Sequence, residues 1–392
     1  MKLSEKLYYV GVDDVKLDLF ESHFKVPGGM SYNSYVIADD RAAVMDAVEK
    51  SFADRWLSNI GEALGERKPD YLVVLHMEPD HSSGILKFME RYPEARIVSS
   101  QKAFAMMKNF FGNDFPERRI AVSEGDTLSL GGCELSFIAA PMVHWPEVTV
   151  AYEKSGGVLF SADAFGKFGA IHGRDVTDVG EDWDSEARRY YFGIVGKYGA
   201  QVQALLRKVS SLDVRTICPL HGPVISHDAG RCVELYNTWS SYEPEEKGVT
   251  IAYTSVYGNT AKAACHLFGK LATGGAGPVA IYDLARCDVA EAIGDAFRYD
   301  KLVLASTTYN TDVFPHMREF IEALALRGYR GRTVGIIENG SWAPTAARVM
   351  KELLSGCKDI TFADTEVRIV SAPDGETFLK LDALAEELSA KS

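Results

Sequence analysis

Along the first part of the chain, apolar residues fall into short runs separated by turns: YNSYVIADDRAAVMDA, YLVVLH, ARIVSS, TLSLGGCELSFIAAP, VTVAYEKSGGVLFSAD and VRTICPLHG. Runs of this length, bounded by Gly, Pro and Asp, read as β-strands. Helical patterns intervene at SFADRWLSNIGEAL and SEARRYYFGIVGKYGAQVQALLRKV. Residues 1–246 are therefore expected to form a mixed α/β domain. The segment SYEPEEKG, residues 241–248, sets Pro244 among three glutamates and a glycine and reads as a linker. Beyond it the alternation becomes regular. VTIAYTS, PVAIYDL, DKLVLAST, TVGIIEN and TEVRIVSAP are five apolar runs separated by helical patterns, which predicts an open parallel sheet with helices on both faces over residues 247–392.

Chemistry-bearing residues cluster where the apolar runs end. In VVLHMEPDHSSG the strand-like run Tyr71 to Leu75 passes into a loop holding His76, Glu78, Asp80 and His81, with Pro79 and Gly84 expected to keep the segment out of helix. Loops leaving strand C-termini are where open α/β sheets bind ligands. Three further run ends carry a ligand type: His144 in IAAPMVHWPE, Asp163 in GGVLFSADAFG and His221 in VRTICPLHGP. Imidazole and carboxylate without thiolate suit iron, manganese or zinc. His23, His172, His227, His266 and His316 lack such a setting; His172 is expected on a surface loop and His227 at a helix cap.

The set HxExDH, His144, Asp163, His221 resembles the metallo-β-lactamase-like domain of flavodiiron proteins. Hydrolases of that fold carry HxHxDH, whereas Glu78 here replaces a nitrogen donor with a hard oxygen, moving preference from zinc toward iron. The resemblance implies His76, Glu78 and His144 on one iron, Asp80, His81 and His221 on the other, and Asp163 bridging them. It also implies an αββα layering for the first domain.

The second domain carries a separate signal. In IAYTSVYGNTAKAACHLF a strand passes through Thr254, Ser255, Val256, Tyr257, Gly258, Asn259 and Thr260 into a helix. Hydroxyls and amides at a helix N-terminus, with no lysine, make a neutral cradle for one terminal phosphate such as that of FMN, and the GxxxxGK[ST] pattern does not fit. Two more loops follow predicted strands: Ser306, Thr307, Thr308, Tyr309, Asn310 and Thr311, then Asn339, Gly340, Ser341, Trp342 and Ala343. Tyr309 and Trp342 are suited to flank a planar ring. Together these loops resemble those of a flavodoxin-like, doubly wound FMN-binding domain.

The paired domains imply an oxidoreductase reducing O₂ to water, NO to N₂O, or both, at two irons fed through FMN. The resemblance also implies a head-to-tail homodimer or a dimer of such dimers. Tyr190 or Tyr191 is a candidate for a hydroxyl beside the irons. No thiolate-pair rubredoxin module or flavin reductase domain is seen, so an external donor such as a rubredoxin or a coenzyme-linked reductase is expected. The formal net charge of −13 disfavours nucleic acid and anionic membranes. Six cysteines without a CxxC pair fit buried, reduced thiols. With no signal-like leader or spanning run, a cytoplasmic protein is expected. Two other readings stand beside this one: a zinc hydrolase fused to a flavodoxin-like domain, and an FMN electron carrier with a structural metal domain.

Overall fold

The computed structural model describes residues 1–390. It divides into two compact units, Met1–Asn237 and Thr238–Ser392. In the first, a six-stranded sheet runs in the order Leu7–Tyr9, Tyr35–Ala38, Ala42–Met45, Tyr71–Val73, Arg96–Ser100 and Arg119–Val122. The last four of these strands are parallel. Ala42–Met45 and Tyr71–Val73 are buried along their whole length, as strands covered on both faces must be. A five-stranded sheet orders Thr127–Ser129, Glu134–Ala139, Thr149–Glu153, Val158–Phe160 and Thr216–Cys218. Tyr35 of the first sheet meets Phe160 of the second edge-on at 5.6 Å, so the sheets share one core. Outer helices close it; Ala53–Leu64 buries Trp56, Ile60 and Leu64 at a spacing of four. The result is the expected αββα layering.

In the second unit the strand order is Val279–Asp283, Glu246–Tyr253, Tyr299–Tyr309, Thr333–Asn339, then the short Thr361–Phe362 and Val367–Ile369, all parallel. This is the 2-1-3-4-5 order of flavodoxin-like folds, whose ligand site lies where the order reverses. Val249, Ile251, Val303 and Ile337 from three strands pack on Leu267 and Leu384 from two helices to form its core.

Four expectations need correction. Pro79 does not keep its segment out of helix: Pro79–Ser82 is a short helix with the proline in its first turn, where a missing N–H costs nothing. The stretch from 185 to 209 is not one regular helix. Trp183–Tyr190 passes through a π turn at Tyr191–Val195 and a tight turn at Gly196–Tyr198 before Gly199–Val209. Gly193 is needed there, because a Cβ would meet Phe24 at 2.9 Å. The second flavin loop is mostly strand: Tyr299–Tyr309 runs through it and pairs back on Asp312–Val313, with Asn310 and Thr311 at positive φ making the hairpin turn. Of the cysteines, Cys133, Cys218 and Cys232 are buried as free thiols, but Cys265 is exposed and Cys287 and Cys357 are half-buried.

Candidate metal centre and flavin pocket

Two parallel strands deliver the first segment of the centre. Ala42–Met45 ends at Asp46, whose carboxylate accepts the N–H of Leu75 at 2.7 Å and of His76 at 3.3 Å. This pins the backbone that leaves Tyr71–Val73. Asp46 is fully buried, and burial pushes its carboxyl up to about 7 despite those donors. The short helix Pro79–Ser82 then presents Asp80 and His81 to the same pocket that receives His76 and Glu78.

The seven expected residues come together in two adjoining groups, His76, Glu78, His144 and Asp163, and Asp80, His81 and His221. Within each group the donor atoms lie within 4.8 Å of one another. Asp163 stands between them. Its Oδ2 is 3.0 Å from His144 Nε2 and 3.4 Å from His76 Nε2, while its Oδ1 is 3.3 Å from His81 Nε2 and 3.9 Å from His221 Nε2. None of the other five histidines belongs to either group; His172 and His227 are exposed, and His266 pairs with Asp382.

The electrostatics of the cluster favour cations. Burial alone would lower the His76 imidazole, but Asp163, Glu147 and Glu78 hold it well above the ordinary histidine range. His144 is likewise pushed up to about 9 by Asp163 and Glu78, against its burial. Burial opposes ionisation of Glu78 and Asp163, yet the imidazoles hold both carboxyls well below the usual range. Among the described residues, both oxygens of Asp80 and Oδ1 of Asp163 are buried without a hydrogen-bond partner. His221 Nδ1 donates to the Ser31 carbonyl at 2.7 Å, so its Nε2 presents a lone pair in the neutral ring, and it faces His81 Nε2 at 3.0 Å. Buried carboxylate oxygens without a hydrogen bond are costly unless a cation lies among them. The donor set, all nitrogen and oxygen, fits two iron ions.

Sequence reasoning missed the layer behind the ligands. Glu147 accepts from His76 Nδ1 at 2.9 Å and from Met77 N–H at 2.8 Å; its only signal was its place in HWPE after His144. Glu21 reaches Glu78 from an exposed hairpin turn, and loss of solvent together with that second carboxylate pushes it up to about 7. Of the tyrosine pair, Tyr190 faces the cluster, its ring 5.7 Å from that of His221, whereas Tyr191 packs edge-on against Tyr236 at 5.1 Å. Phe20 lies 5.2 Å from the His221 ring, and Phe168 lies 5.1 Å from Tyr190, giving the pocket one apolar wall.

In the second unit the three expected loops surround a cavity of about 500 Å³. Its lining takes Ser255, Val256, Tyr257, Asn259 and Thr260 from the first, residues 307–311 from the second and residues 339–343 from the third. Ser371 lines it too and was not anticipated. Thr254 and Ser306 do not line it: both are fully buried, their hydroxyls 2.9 Å apart. Gly258, at φ 88°, instead sets the start of helix Asn259–Thr273. Among the described residues no lysine or arginine lines the cavity, so a phosphate would be held by hydroxyls, amides and the helix N-terminus. The loops are tied to one another. Thr308 Oγ1 accepts the N–H of Thr345 at 2.9 Å, and Asn339 Nδ2 donates to Thr260 Oγ1 and to the Ser371 carbonyl, each at 3.3 Å. Tyr257 and Trp342 stand at the rim, 93% and 82% exposed. The cavity's shape and neutral lining fit FMN.

Comparison with known proteins decides the kinship. A family described as "ODP family beta lactamase" matches residues 30–222. A nitric oxide reductase of Moorella thermoacetica is 30% identical over 397 residues, spanning 99% of this chain and 98% of that protein. The chain belongs to the flavodiiron protein family. The crystal structure of the flavodiiron protein from Giardia intestinalis superposes with a TM-score of 0.92 at 25% identity, covering 100% of this chain and 96% of that one. Rubredoxin oxygen:oxidoreductase of Desulfovibrio gigas gives the same score of 0.92 at 23% identity over 100% and 98%, a likeness of fold. Flavodiiron proteins are oxidoreductases carrying FMN and a non-haem diiron site, and the two pockets described above answer to those two groups.

Proposed function

We propose that His76, Glu78 and His144 hold one iron, that Asp80, His81 and His221 hold a second, and that Asp163 bridges them. The chain then reduces O₂ to water, NO to N₂O, or both. The carrying observation is Asp163, with one oxygen toward each group of donors and the half-buried carboxylates of Glu78 and Asp80 flanking it. When bound, the irons supply electrons and positive charge to a small diatomic molecule. Ser255 to Thr260 and the two loops ending at Thr311 and Ala343 would hold FMN, which would pass electrons on to the irons.

The chain's own residues prepare the site. Phe20 and Phe168 keep water from one side of the cluster, where an apolar gas is received. Burial and then the Asp163 charge drive the Tyr190 hydroxyl well above the ordinary phenol range, so Oη keeps its proton. Among the described residues that hydroxyl has no hydrogen-bond partner, and it is free to donate toward the pocket. Reduction consumes protons, and Glu21, in the exposed hairpin turn beside Glu78, is placed to pass them toward the cluster.

The D. gigas protein's name supports an external donor such as a rubredoxin, with a coenzyme-linked reductase as the other donor class. Family likeness supports a head-to-tail homodimer, or a dimer of such dimers, in the cytoplasm. Among the described residues no helix is long and apolar enough to cross a membrane. The test is anaerobic reduction of iron- and FMN-loaded protein followed by separate exposure to O₂ and NO. Consumption of either gas supports the reading; two bound zincs with hydrolase activity, or full FMN with no iron and no gas uptake, sinks it.

A further inference from the structure

On the formal ligand count the two metal positions are alike. Each has two imidazoles and one terminal carboxylate, and they share Asp163. What lies behind the imidazoles is not alike. Glu147 is 2% exposed, and its Oε1 already accepts the Met77 N–H at 2.8 Å. That oxygen is an acceptor, so the 2.9 Å contact with His76 Nδ1 is a hydrogen bond donated by the imidazole. In the neutral ring that binds a metal, His76 Nε2 is then the nitrogen that carries the lone pair, and it lies 3.2 Å from Glu78 Oε2 and 3.4 Å from Asp163 Oδ2. The other carboxylate oxygen of Glu147 is buried with no hydrogen-bond partner, and the imidazole is its only ion-pair partner among the described residues. On the other side, His221 Nδ1 donates to a neutral acceptor, the carbonyl of Ser31, and His81 Nδ1 is buried without a partner among the described residues. An anion on the remote N–H gives an imidazole part of the character of an imidazolate and makes it a stronger donor; a carbonyl does this less.

We propose that Glu147 makes the two irons unequal: the ion on His76, Glu78 and His144 gives up its electron first, and in the half-oxidised pair the ferric charge resides there. This rests on the ligand assignment proposed above. Oxidation removes one electron from the two-ferrous pair to an added acceptor such as ferricyanide; no bond or proton changes place. Glu147 acts through His76 and is a positioning residue.

The test compares the iron- and FMN-loaded protein with Glu147→Gln, which keeps an acceptor but removes the charge, and Glu147→Asp, which keeps the charge. Each is titrated stepwise with ferricyanide and followed by Mössbauer and electron paramagnetic resonance spectroscopy. The unaltered protein should pass through a high-yield state with one localised ferric and one ferrous ion. In Glu147→Gln the first oxidation should move to higher potential and the second stay in place, so the half-oxidised yield falls; Glu147→Asp should restore part of it. An unchanged first potential and yield in an iron-replete Glu147→Gln protein would overturn the proposal.

If Glu147→Gln holds iron too weakly for that titration, stepwise removal by a chelator decides instead. One iron per chain should leave first, bound about 10- to 100-fold more weakly than in the unaltered protein. Equal weakening of both irons would show a merely structural role and reject the inequality. Failure of the unaltered protein to bind two irons is a different result, and removes the ligand assignment itself.

Discussion

The two sites solve opposite electrostatic problems. The metal centre gathers three carboxylates and four imidazoles in a buried pocket, with orphaned carboxylate oxygens that only cations complete. The flavin cavity gathers no charged side chain; its hydroxyls and amides already bond to one another across the three loops. The first is a scaffold finished by its cofactor, the second a cradle formed before its cofactor arrives. Loss of one ligand should therefore be felt strongly in the first and weakly in the second.

The largest effect should come from Asp163→Ala. It removes the one group that faces both sets of donors, so both irons should be lost and gas reduction should fall by about 100-fold or more. FMN content should not change. Iron and flavin analysis of the same sample checks this, and retention of a full iron pair would break the account of Asp163 as the bridge.

Glu78→His comes next. It recreates the HxHxDH pattern with one negative charge fewer and a softer donor, so metal preference should move toward zinc, with iron retention down about tenfold. Competition between ferrous iron and zinc, read by elemental analysis, measures it. Unaltered iron selectivity would mean that the pocket, not this donor, chooses the metal.

In the flavin unit a rim residue should matter less. Trp342 is 82% exposed and has little structural duty in the protein itself. Trp342→Ala removes a face that a planar ring would stack on, worth about 0.5–1.5 kcal/mol, so the FMN dissociation constant should rise about two- to tenfold. Flavin fluorescence titration gives the number, and iron content is the internal control. An unchanged dissociation constant would place Trp342 outside flavin binding.

What the sequence revealed follows the same division. Ligands at strand ends were legible because each stands at the close of an apolar run, and the run itself says where the chain leaves the sheet. The five parallel strands were legible for the same reason. The supporting layer was not. His76 meets Glu147 across 71 positions, and His221 meets Ser31 across 190; no local pattern announces such pairs. Tyr190 and Tyr191 were inseparable because a π turn begins at Tyr191 and sets which ring faces His221. Pro79 misled because proline breaks helices in their interior but starts them well.

The smallest effect concerns Thr254 and Ser306, which sequence position alone assigns to the flavin. Their hydroxyls bond each other at 2.9 Å in full burial, joining the neighbouring strands Glu246–Tyr253 and Tyr299–Tyr309 behind the cavity. A neutral buried pair of this kind contributes about 1 kcal/mol net, while leaving one member unpaired costs about 1–3 kcal/mol. Ser306→Ala alone should thus destabilise the protein more than the double change with Thr254→Val, because it strips Thr254 Oγ1 of its partner, whereas Ser306 Oγ also has the Thr307 carbonyl at 3.3 Å. A double-mutant cycle by denaturant unfolding, run beside FMN titrations, tests this directly. If the hydroxyls reach the flavin instead, each single change would weaken FMN binding severalfold and the coupling in stability would vanish. If they are only the cavity's back wall, the dissociation constant should stay within about twofold throughout while the stabilities couple.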